Sequence, residues 1–180
     1  MKHILITILL FSALYANAQF SSGNLQAAGL TCAMCTKAIN TSLEKLSFIE
    51  SVKADIKSSS FNITFRKEAG IDIDALRRAV EDAGFSVAKL KLTGSFNDVK
   101  IQPDTHVQIN GNTFHFLNTT NQTLEGERTL VLADKNFVSD KEFRKISSSS
   151  KLNCVQSGKA GSCCTREGIP ENTRVYHVTI

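Results

Sequence analysis

The sequence predicts an α+β protein, in which a mixed helix-and-strand domain is followed by a small, mostly-β domain. Three observations carry this prediction. Over about seventy residues the apolar positions alternate between strand and helix periodicity in the order β-α-β-β-α-β. After Gly94 the helix signal nearly disappears and short strand patterns follow one another. An apolar run before residue 19 is separate from both parts.

Composition places the chain among ordinary globular proteins. Of its 180 residues, 42% are hydrophobic and 21% are charged, so disorder is not expected. The formal net charge is +4, and the basic residues are scattered rather than clustered. Charge therefore gives no support to nucleic-acid binding.

The first 18 residues have the pattern of a secretory signal peptide. A short basic start is followed by apolar residues at 4–14, and Ala16-Asn17-Ala18 matches the small-x-small cleavage pattern. The apolar run is too short for a stable membrane anchor. We therefore expect residues 1–18 to be removed and the mature chain to begin at Gln19. The product should be secreted or periplasmic and should not span a membrane.

The first domain is expected over residues 24–93, after a short linker at 19–23. Period-two alternation predicts strands and a spacing of three to four predicts helices. The first four predicted elements are a strand at 24–30, a helix at 36–46 and two strands at 51–56 and 60–66 that are paired as a hairpin.

A second helix and a closing strand complete this domain. Asp72 or Asp74 can cap the start of the helix, and Gly84 suits the C′ position just past its end. Residues 85–92 then alternate as a strand. The order β-α-β-β-α-β predicts a ferredoxin-like sandwich, with two helices on one four-stranded antiparallel sheet.

Residues 95–180 are expected to form a separate small β-rich domain of unknown role. Asn110-Gly111 lies between two alternating apolar stretches and is a strong hairpin signal, because a type I′ turn needs positive φ at both residues. Further strands are predicted at 128–133 and 174–180, with a short helix at 141–146. So many short strands predict a small barrel or sandwich, with an OB-like five-stranded open barrel as the favoured form.

Cys32 and Cys35 lie at the predicted junction between the first strand and the first helix. Unpaired N–H groups and the positive end of the helix dipole favour thiolate at this position. Two thiolates on an exposed loop suit a soft cation such as Cu(I) or Hg(II). Zn(II) is also possible, although zinc normally takes four protein ligands.

Two other uses of this pair remain open. The cysteines can cycle through a disulfide, as in a periplasmic thiol–disulfide redox protein. They can also form a purely structural disulfide, although a loop this short would add little stability. Five cysteines follow the predicted cleavage site, an odd number, so at least one is left unpaired or has a metal or an intermolecular partner.

Residues 24–92 resemble the heavy-metal-associated domain family of copper chaperones, transport ATPases and mercury-binding proteins. The matching residues are Gly29-Leu30-Thr31-Cys32-Ala33-Met34-Cys35, Ile49-Glu50-Ser51-Val52 and Glu81-Asp82-Ala83-Gly84-Phe85. Leu30 and Ser51 depart from the family's usual Met and Gly. Leu30 should still fill the core beneath the loop.

The resemblance implies a metal carrier rather than an enzyme. It implies Cu(I) held by Cys32 and Cys35 and passed on by thiolate exchange. The donor or acceptor would be a metal-transporting ATPase or another metal protein of the cell envelope. Mercury binding is the alternative cargo. The resemblance places Phe85 beside the loop as a shield, and Met34 is expected to face solvent rather than to be a third ligand.

A second group of cysteines lies near the end of the chain: Cys154, Cys163 and Cys164. The Gly- and Ser-rich segment between them can bring Cys154 close to the vicinal pair. One reading is a disulfide from Cys154 to either of the other two, and the other is a second metal-binding or relay site. His115 and His177, on strand-patterned segments, are weaker ligand candidates. A third hypothesis for the whole protein is that residues 95–180 are an interaction or sensing module controlled by metal bound to the N-terminal domain.

Overall fold

The computed structural model describes residues 18–30, 32–148, 150, 152–165 and 167–180, and for Cys163 the backbone only. The predicted signal peptide lies outside the described residues, apart from Ala18. Within the part of the chain that is described, no helix is both long enough and apolar enough to cross a bilayer.

The N-terminal half has the predicted β-α-β-β-α-β order. Its elements are β1 (Gln19–Ala28), α1 (Ala33–Glu44), β2 (Ile49–Asp55), β3 (Ser60–Phe65), α2 (Ile73–Asp82) and β4 (Ser86–Ile101). The four strands pair antiparallel in the order β2-β3-β1-β4, which is the ferredoxin-like arrangement. Apolar residues of α1 pack into the core, where Ile39 and Leu43 are fully buried, each worth about 1.5–3 kcal/mol.

The C-terminal half adds four strands and three short helices. They are β5 (His106–Ile109), β6 (Asn112–Phe116), β7 (Gln122–Leu132), α3 (Asp140–Ser147), α4 (Asn153–Ser157), α5 (Ser162–Thr165) and β8 (Val175–Thr179). Asn110 and Gly111 have φ of 50° and 78°, so the predicted hairpin turn between β5 and β6 is present.

All eight strands belong to one open sheet, ordered β2-β3-β1-β4-β7-β8-β6-β5. The prediction of a separate barrel or sandwich, OB-like in form, is therefore not confirmed. β4 continues to Ile101, pairs with β1 along one side and offers its other side to β7. The predicted boundary at residues 93–95 falls inside this strand, and the predicted linker at 19–23 is the first half of β1.

The pairing also sets the layout of the core. One hydrophobic cluster runs through both halves of the sheet, from Leu25 in β1 to Val178 in β8. A smaller cluster lies under the short C-terminal helices; its buried members are Leu117, Ala133, Cys154, Val155, Ala160, Cys164, Ile169 and Val175. β8 lies parallel to β6 and antiparallel to β7, so the last strand closes the gap between them.

Local capping explains where α2 begins and ends. The Asp72 carboxylate accepts a hydrogen bond from the Ala75 N–H at 2.8 Å, as one of the two predicted caps. At the other end Gly84 has φ of 86°, its N–H donates to the Glu81 carbonyl, and the Phe85 N–H donates to the Val80 carbonyl. This Schellman arrangement requires a residue that tolerates positive φ, which glycine does without strain.

Candidate metal centre

Cys32 and Cys35 lie at the N-terminus of α1, joined by a disulfide. Cys32 is the N-cap residue, and its sulfur accepts a hydrogen bond from the Cys35 N–H at 3.1 Å. The Thr36 N–H and hydroxyl both donate to the Cys32 carbonyl, each at 3.1 Å. The first turn of α1 therefore holds the two sulfurs next to each other at the N-terminus of the helix.

The surroundings of this pair favour negative charge on a reduced sulfur. No acidic residue lies in the first turn of α1. The positive end of the helix dipole and the N–H of Cys35 both stabilise a thiolate at Cys32. Cys32 is exposed and Cys35 is half-buried, so both can be approached from solvent.

Residues around the loop form its floor and its side. Leu30 packs on the main core, as expected for the residue beneath the loop. Its carbonyl accepts a hydrogen bond from the Ser59 hydroxyl at 3.4 Å, which ties the loop to the β2–β3 turn. Met34 lies in the first turn of α1 and is 84% exposed, so the prediction that its side chain faces solvent is confirmed.

Phe85 lies at the same end of the sheet as the cysteines. Ala28, the last residue of β1, pairs with Ser86, the first residue of β4. Phe85 precedes that pair and is half-buried against the core. Its predicted shielding of the metal remains a prediction, because the register places it near the loop without showing contact with either sulfur.

The second predicted site is divided between two short helices. Cys154 lies in α4 and Cys164 in α5, and both are fully buried in the smaller hydrophobic cluster. The side chain of Cys163 lies outside the described part of the chain. A site formed by Cys154, Cys163 and Cys164 thus remains a prediction.

Three histidines occupy neighbouring positions across three strands. His106 of β5 pairs with His115 of β6, and His115 pairs with His177 of β8. The rings of His106 and His115 stack with centroids 4.5 Å apart, and the His115 and His177 rings meet edge to face at 5.1 Å. Cys154 approaches this row, with its sulfur 3.9 Å from Nδ1 of His115.

His106 was not predicted as a site residue, although the sequence carries a signal for its position. A two-residue turn at Asn110-Gly111 pairs Ile109 with Asn112, and counting outward from that pair puts His106 opposite His115. The alignment of His177 carries no such local signal, because it depends on the parallel pairing of β6 with β8.

Carboxylates accompany all three rings. Nδ1 of His106 lies 3.1 Å from the Glu167 carboxylate, and Nδ1 of His177 lies 2.6 Å from that of Asp134. Nε2 of His115 is 3.4 Å from Asp104, near enough for an electrostatic contact but without hydrogen-bond geometry. The side chains of all three histidines are buried, and each ring has a carboxylate near one of its nitrogens.

His115 is neutral at neutral pH. Burial, the largest cause, and the neighbouring charges of His177 and His106 together lower its pKa from 6.5 to about 3. A neutral imidazole keeps one nitrogen lone pair available.

Comparison with known proteins covers the N-terminal half. The family model described as "Heavy-metal-associated domain" matches residues 25–86. A probable copper-exporting P-type ATPase of Archaeoglobus fulgidus is 37% identical over 59 residues, which are 33% of this chain and 7% of that protein. The copper chaperone CopZ of Bacillus subtilis is 29% identical over 65 residues, 36% of this chain and 93% of that protein.

Solved structures match over the same third of the chain. A CopZ metallochaperone is 19% identical with a TM-score of 0.35, over 38% of this chain and all of that one. The yeast copper transporter domain Ccc2a, studied in apo and Cu(I)-loaded states, is 27% identical with a TM-score of 0.34, over 37% of this chain and 90% of that one. Because both TM-scores are low, the sequence matches carry the assignment.

Proposed function

Residues 25–86 are a heavy-metal-associated domain, and from this premise we propose that the protein is a Cu(I) carrier. Cys32 and Cys35 bind the ion and pass it to a partner protein. The observation that carries the proposal is the position of both sulfurs together at the accessible N-terminus of α1. The names of the two sequence relatives, a copper-exporting ATPase and a copper chaperone, agree with this cargo.

The donor set favours Cu(I) over Zn(II). Cu(I) is a soft cation well suited to thiolate ligands, whereas zinc normally takes four protein ligands. Cys32 and Cys35 offer two, and Met34 points its side chain to solvent with 84% of its surface exposed. Hg(II) shares the preference for thiolates, so a mercury-binding role is the alternative cargo for the same pair.

Metal binding starts from the reduced pair. A dithiol reductant gives two electrons and two protons to the Cys32–Cys35 disulfide, which becomes two thiols while the reductant becomes a disulfide. Each thiol then releases its proton as the ion binds, so affinity rises with pH. As long as the Cys32–Cys35 disulfide is intact, neither sulfur is available as a thiolate ligand.

Transfer proceeds by ligand exchange. A thiolate of the partner binds the ion from the solvent side, where Cys32 is exposed. A three-coordinate intermediate forms, and one protein thiolate then leaves. The ion keeps its oxidation state and no bond of a substrate molecule is broken, so the activity is carriage rather than enzymatic catalysis. We propose a metal-transporting ATPase or another envelope metal protein as the partner.

The carrier is proposed to act outside the cytoplasm. The support is the signal-peptide pattern of residues 1–18. Cell fractionation of the native host tests this: we expect the mature chain, beginning at Gln19, in the periplasmic or secreted fraction. A cytoplasmic protein that retains Met1 would contradict it.

A Cu(I) titration tests the cargo. The reduced protein is titrated against a competing Cu(I) chelator beside the Cys32→Ser/Cys35→Ser variant, and we expect the variant to bind one Cu(I) fewer per chain. Cys164→Ser is the matched control, since it removes a buried sulfur far along the chain and leaves the pair intact. Equal stoichiometry and affinity in the wild type and the double variant would refute the proposal.

The disulfide itself favours a second candidate, a thiol–disulfide redox protein. Such a protein would exchange disulfides with a model substrate through Cys32, the more exposed sulfur. Turnover of a model disulfide, lost in Cys32→Ser and unaffected by Cu(I) chelators, would support it. Cu(I) binding through the pair, together with no turnover of a model disulfide, would rule out this candidate.

A further inference from the structure

The C-terminal half contains a second cluster of metal-ligating side chains. One donor atom each from His106, His115 and Cys154 lies within 4.8 Å of the other two. The three come from β5, β6 and α4, and the strand pairing places the two histidines directly opposite each other. This cluster is far from Cys32 and Cys35 in sequence and shares no residue with them.

Buried ring nitrogens without partners mark the cluster. Among the described residues, Nε2 of His106, of His115 and of His177 have no hydrogen-bond partner. The side chains of these histidines are 0–2% exposed. Buried polar atoms are nearly always paired, because an unpaired one costs free energy. Nε2 of His106 is the unpaired nitrogen that the cluster can offer to an ion, whereas Nε2 of His115 lies on the Asp104 side and His177 is not part of the cluster.

The contact on the other side of the His106 ring supports metal binding at this nitrogen. Nδ1 of His106 faces the Glu167 carboxylate. An ionised carboxylate only accepts, so this Nδ1 carries the proton and, in the neutral ring, the lone pair lies on Nε2. The same holds for His177 and Asp134, 2.6 Å apart. A carboxylate behind an imidazole is the usual arrangement of metal-binding histidines, because it fixes the tautomer and raises basicity.

His115 is turned the other way. Its Nε2 lies on the Asp104 side at 3.4 Å, and its Nδ1 faces the sulfur of Cys154 at 3.9 Å. Ligands bound to one tetrahedral ion at 2.0–2.3 Å are about 3.6 Å apart, so this pair is close to the required separation. Nδ1 of His115 and the Cys154 sulfur thus form one edge of a site.

We propose that His106, His115 and Cys154 form a second metal site, which binds a d¹⁰ cation, Cu(I) or Zn(II), through two imidazole nitrogens and one thiolate. Imidazole and thiolate together suit both cations, and neither has a preferred geometry that the site must match. The thiolate and the nearby carboxylates of Glu167 and Asp104 offset the charge of the ion. The side chains of Glu167 and Asp104 are 41% and 63% exposed, so their carboxylates can attract a cation from solvent.

Binding requires one movement. The rings of His106 and His115 are stacked at 18° between planes, so their in-plane lone pairs lie in two nearly parallel planes and do not converge on one point. One ring must turn out of the stack to direct its nitrogen at the ion. His177, in edge contact with His115 and held by Asp134, limits how far the His115 ring can move. His106 is therefore the ring that turns, because its partner Glu167 is 41% exposed and has room to move with it.

The test uses the reduced full chain with Cys32→Ser/Cys35→Ser, so that failure of the first site and failure of this one give different results. Zn(II) is titrated against a chromophoric chelator and Cu(I) against a Cu(I) chelator. We expect one ion per chain in at least one arm, and the arm that binds more tightly identifies the cation. With Co(II) as a probe, a thiolate-to-metal charge-transfer band should appear and should vanish in Cys154→Ser.

Variants separate this site from a site made of thiols alone. In the same background, His106→Gln and Cys154→Ser should each lower affinity by at least about 10-fold, since loss of even an outer-shell partner costs about that much. Cys164→Ser is the matched control and should bind as the parent does. Loss of binding in Cys164→Ser with retention in His106→Gln would overturn the imidazole assignment.

If the variants fail to fold, a measurement that needs no substitution in the buried cluster tests whether His106 and His115 bind the metal. Imidazole ¹H–¹⁵N correlation spectra of the Cys32→Ser/Cys35→Ser protein should show the ring nitrogens of His106 and His115 shifting as metal is added. Unchanged ring signals at saturating Zn(II) and Cu(I), or no binding of either cation by the folded protein, would overturn the proposal.

Discussion

Arg174 and Asp74 join the two halves of the protein. Nε of Arg174 in the segment before β8 lies 2.9 Å from the Asp74 carboxylate in the first turn of α2, one hundred residues earlier. The guanidinium also reaches Asp134 at 3.4 Å and lies 4.1 Å from the centre of the Tyr176 ring. Asp134 in turn contacts Nδ1 of His177 at 2.6 Å, so one chain of polar contacts runs from the heavy-metal-associated domain to the row of histidines.

The ion pairs of Arg174 with Asp74 and Asp134 should contribute measurably to stability. Arg174→Met leaves the Asp134 carboxylate, 4% exposed, without its cation, and we expect the free energy of unfolding to fall by about 2–4 kcal/mol. Arg78→Met is the matched control: its ion pair with Asp72 is about half exposed, so the loss should stay below about 1 kcal/mol. Denaturant unfolding measures the loss in each variant. Equal losses would show that the buried ion pairs of Arg174 stabilise the fold no more than an exposed one does.

The pH dependence of the Asp74 contribution has a definite sign. Burial opposes ionisation of this carboxyl, but the hydrogen bond and charge of Arg174 outweigh it and lower the pKa below 3.8. A lowered folded pKa means that the stabilisation is complete above the unfolded value and is lost as the pH falls through the folded one. The stability difference between wild type and Asp74→Asn should therefore be constant from neutral pH to about pH 5, and should shrink below 3.8. A difference that grows on acidification would show the opposite shift.

Gly94 allows β4 to serve both halves of the sheet. A Cβ at this position would come within 2.8 Å of the Phe20 Cα and 2.9 Å of the Gln19 carbonyl carbon, both backbone atoms. Gly94→Ala must push β1 and β4 apart, so we expect a loss of about 1–3 kcal/mol or more. Gly70→Ala, where a Cβ meets nothing within 4 Å, should leave stability unchanged or raise it slightly. Similar losses in both variants would remove the role given to Gly94.

Met34 should not be a ligand of the first site. Its side chain is 84% exposed and lies in the first turn of α1, beside the cysteines but directed to water. Met34→Ala is expected to keep the Cu(I) affinity of the wild type, measured by chelator competition. A fall of about 10-fold, the size seen when a contributing partner is lost, would make the thioether a third ligand.

Much of the N-terminal half follows from neighbours in sequence. The apolar alternation of β1, the Asp72 cap and the positive φ at Gly84 each depend on residues within a few positions, so the β-α-β-β-α-β order was predictable. The predicted junction of a strand with a helix likewise placed Cys32 and Cys35 at a helix N-terminus, which the structure confirms.

The C-terminal half was predicted only in its local parts. The Asn110-Gly111 turn and the short helix near residue 143 are present, but the strands add to the first sheet instead of closing a barrel. Nothing within a few residues of Gly94 shows that β4 runs on to Ile101 and pairs with β7 across the connection formed by residues 102–121.

Sequence alone determined the kind of elements, their caps and the pair of sulfurs at the start of α1, because turn chemistry and side-chain periodicity act between near neighbours. Tertiary structure alone decided that the chain forms one sheet and that Cys154 and His177 lie beside the His106–His115 pair. Those contacts join residues far apart in the chain, and their geometry depends on strand register and parallel pairing, which no local pattern encodes.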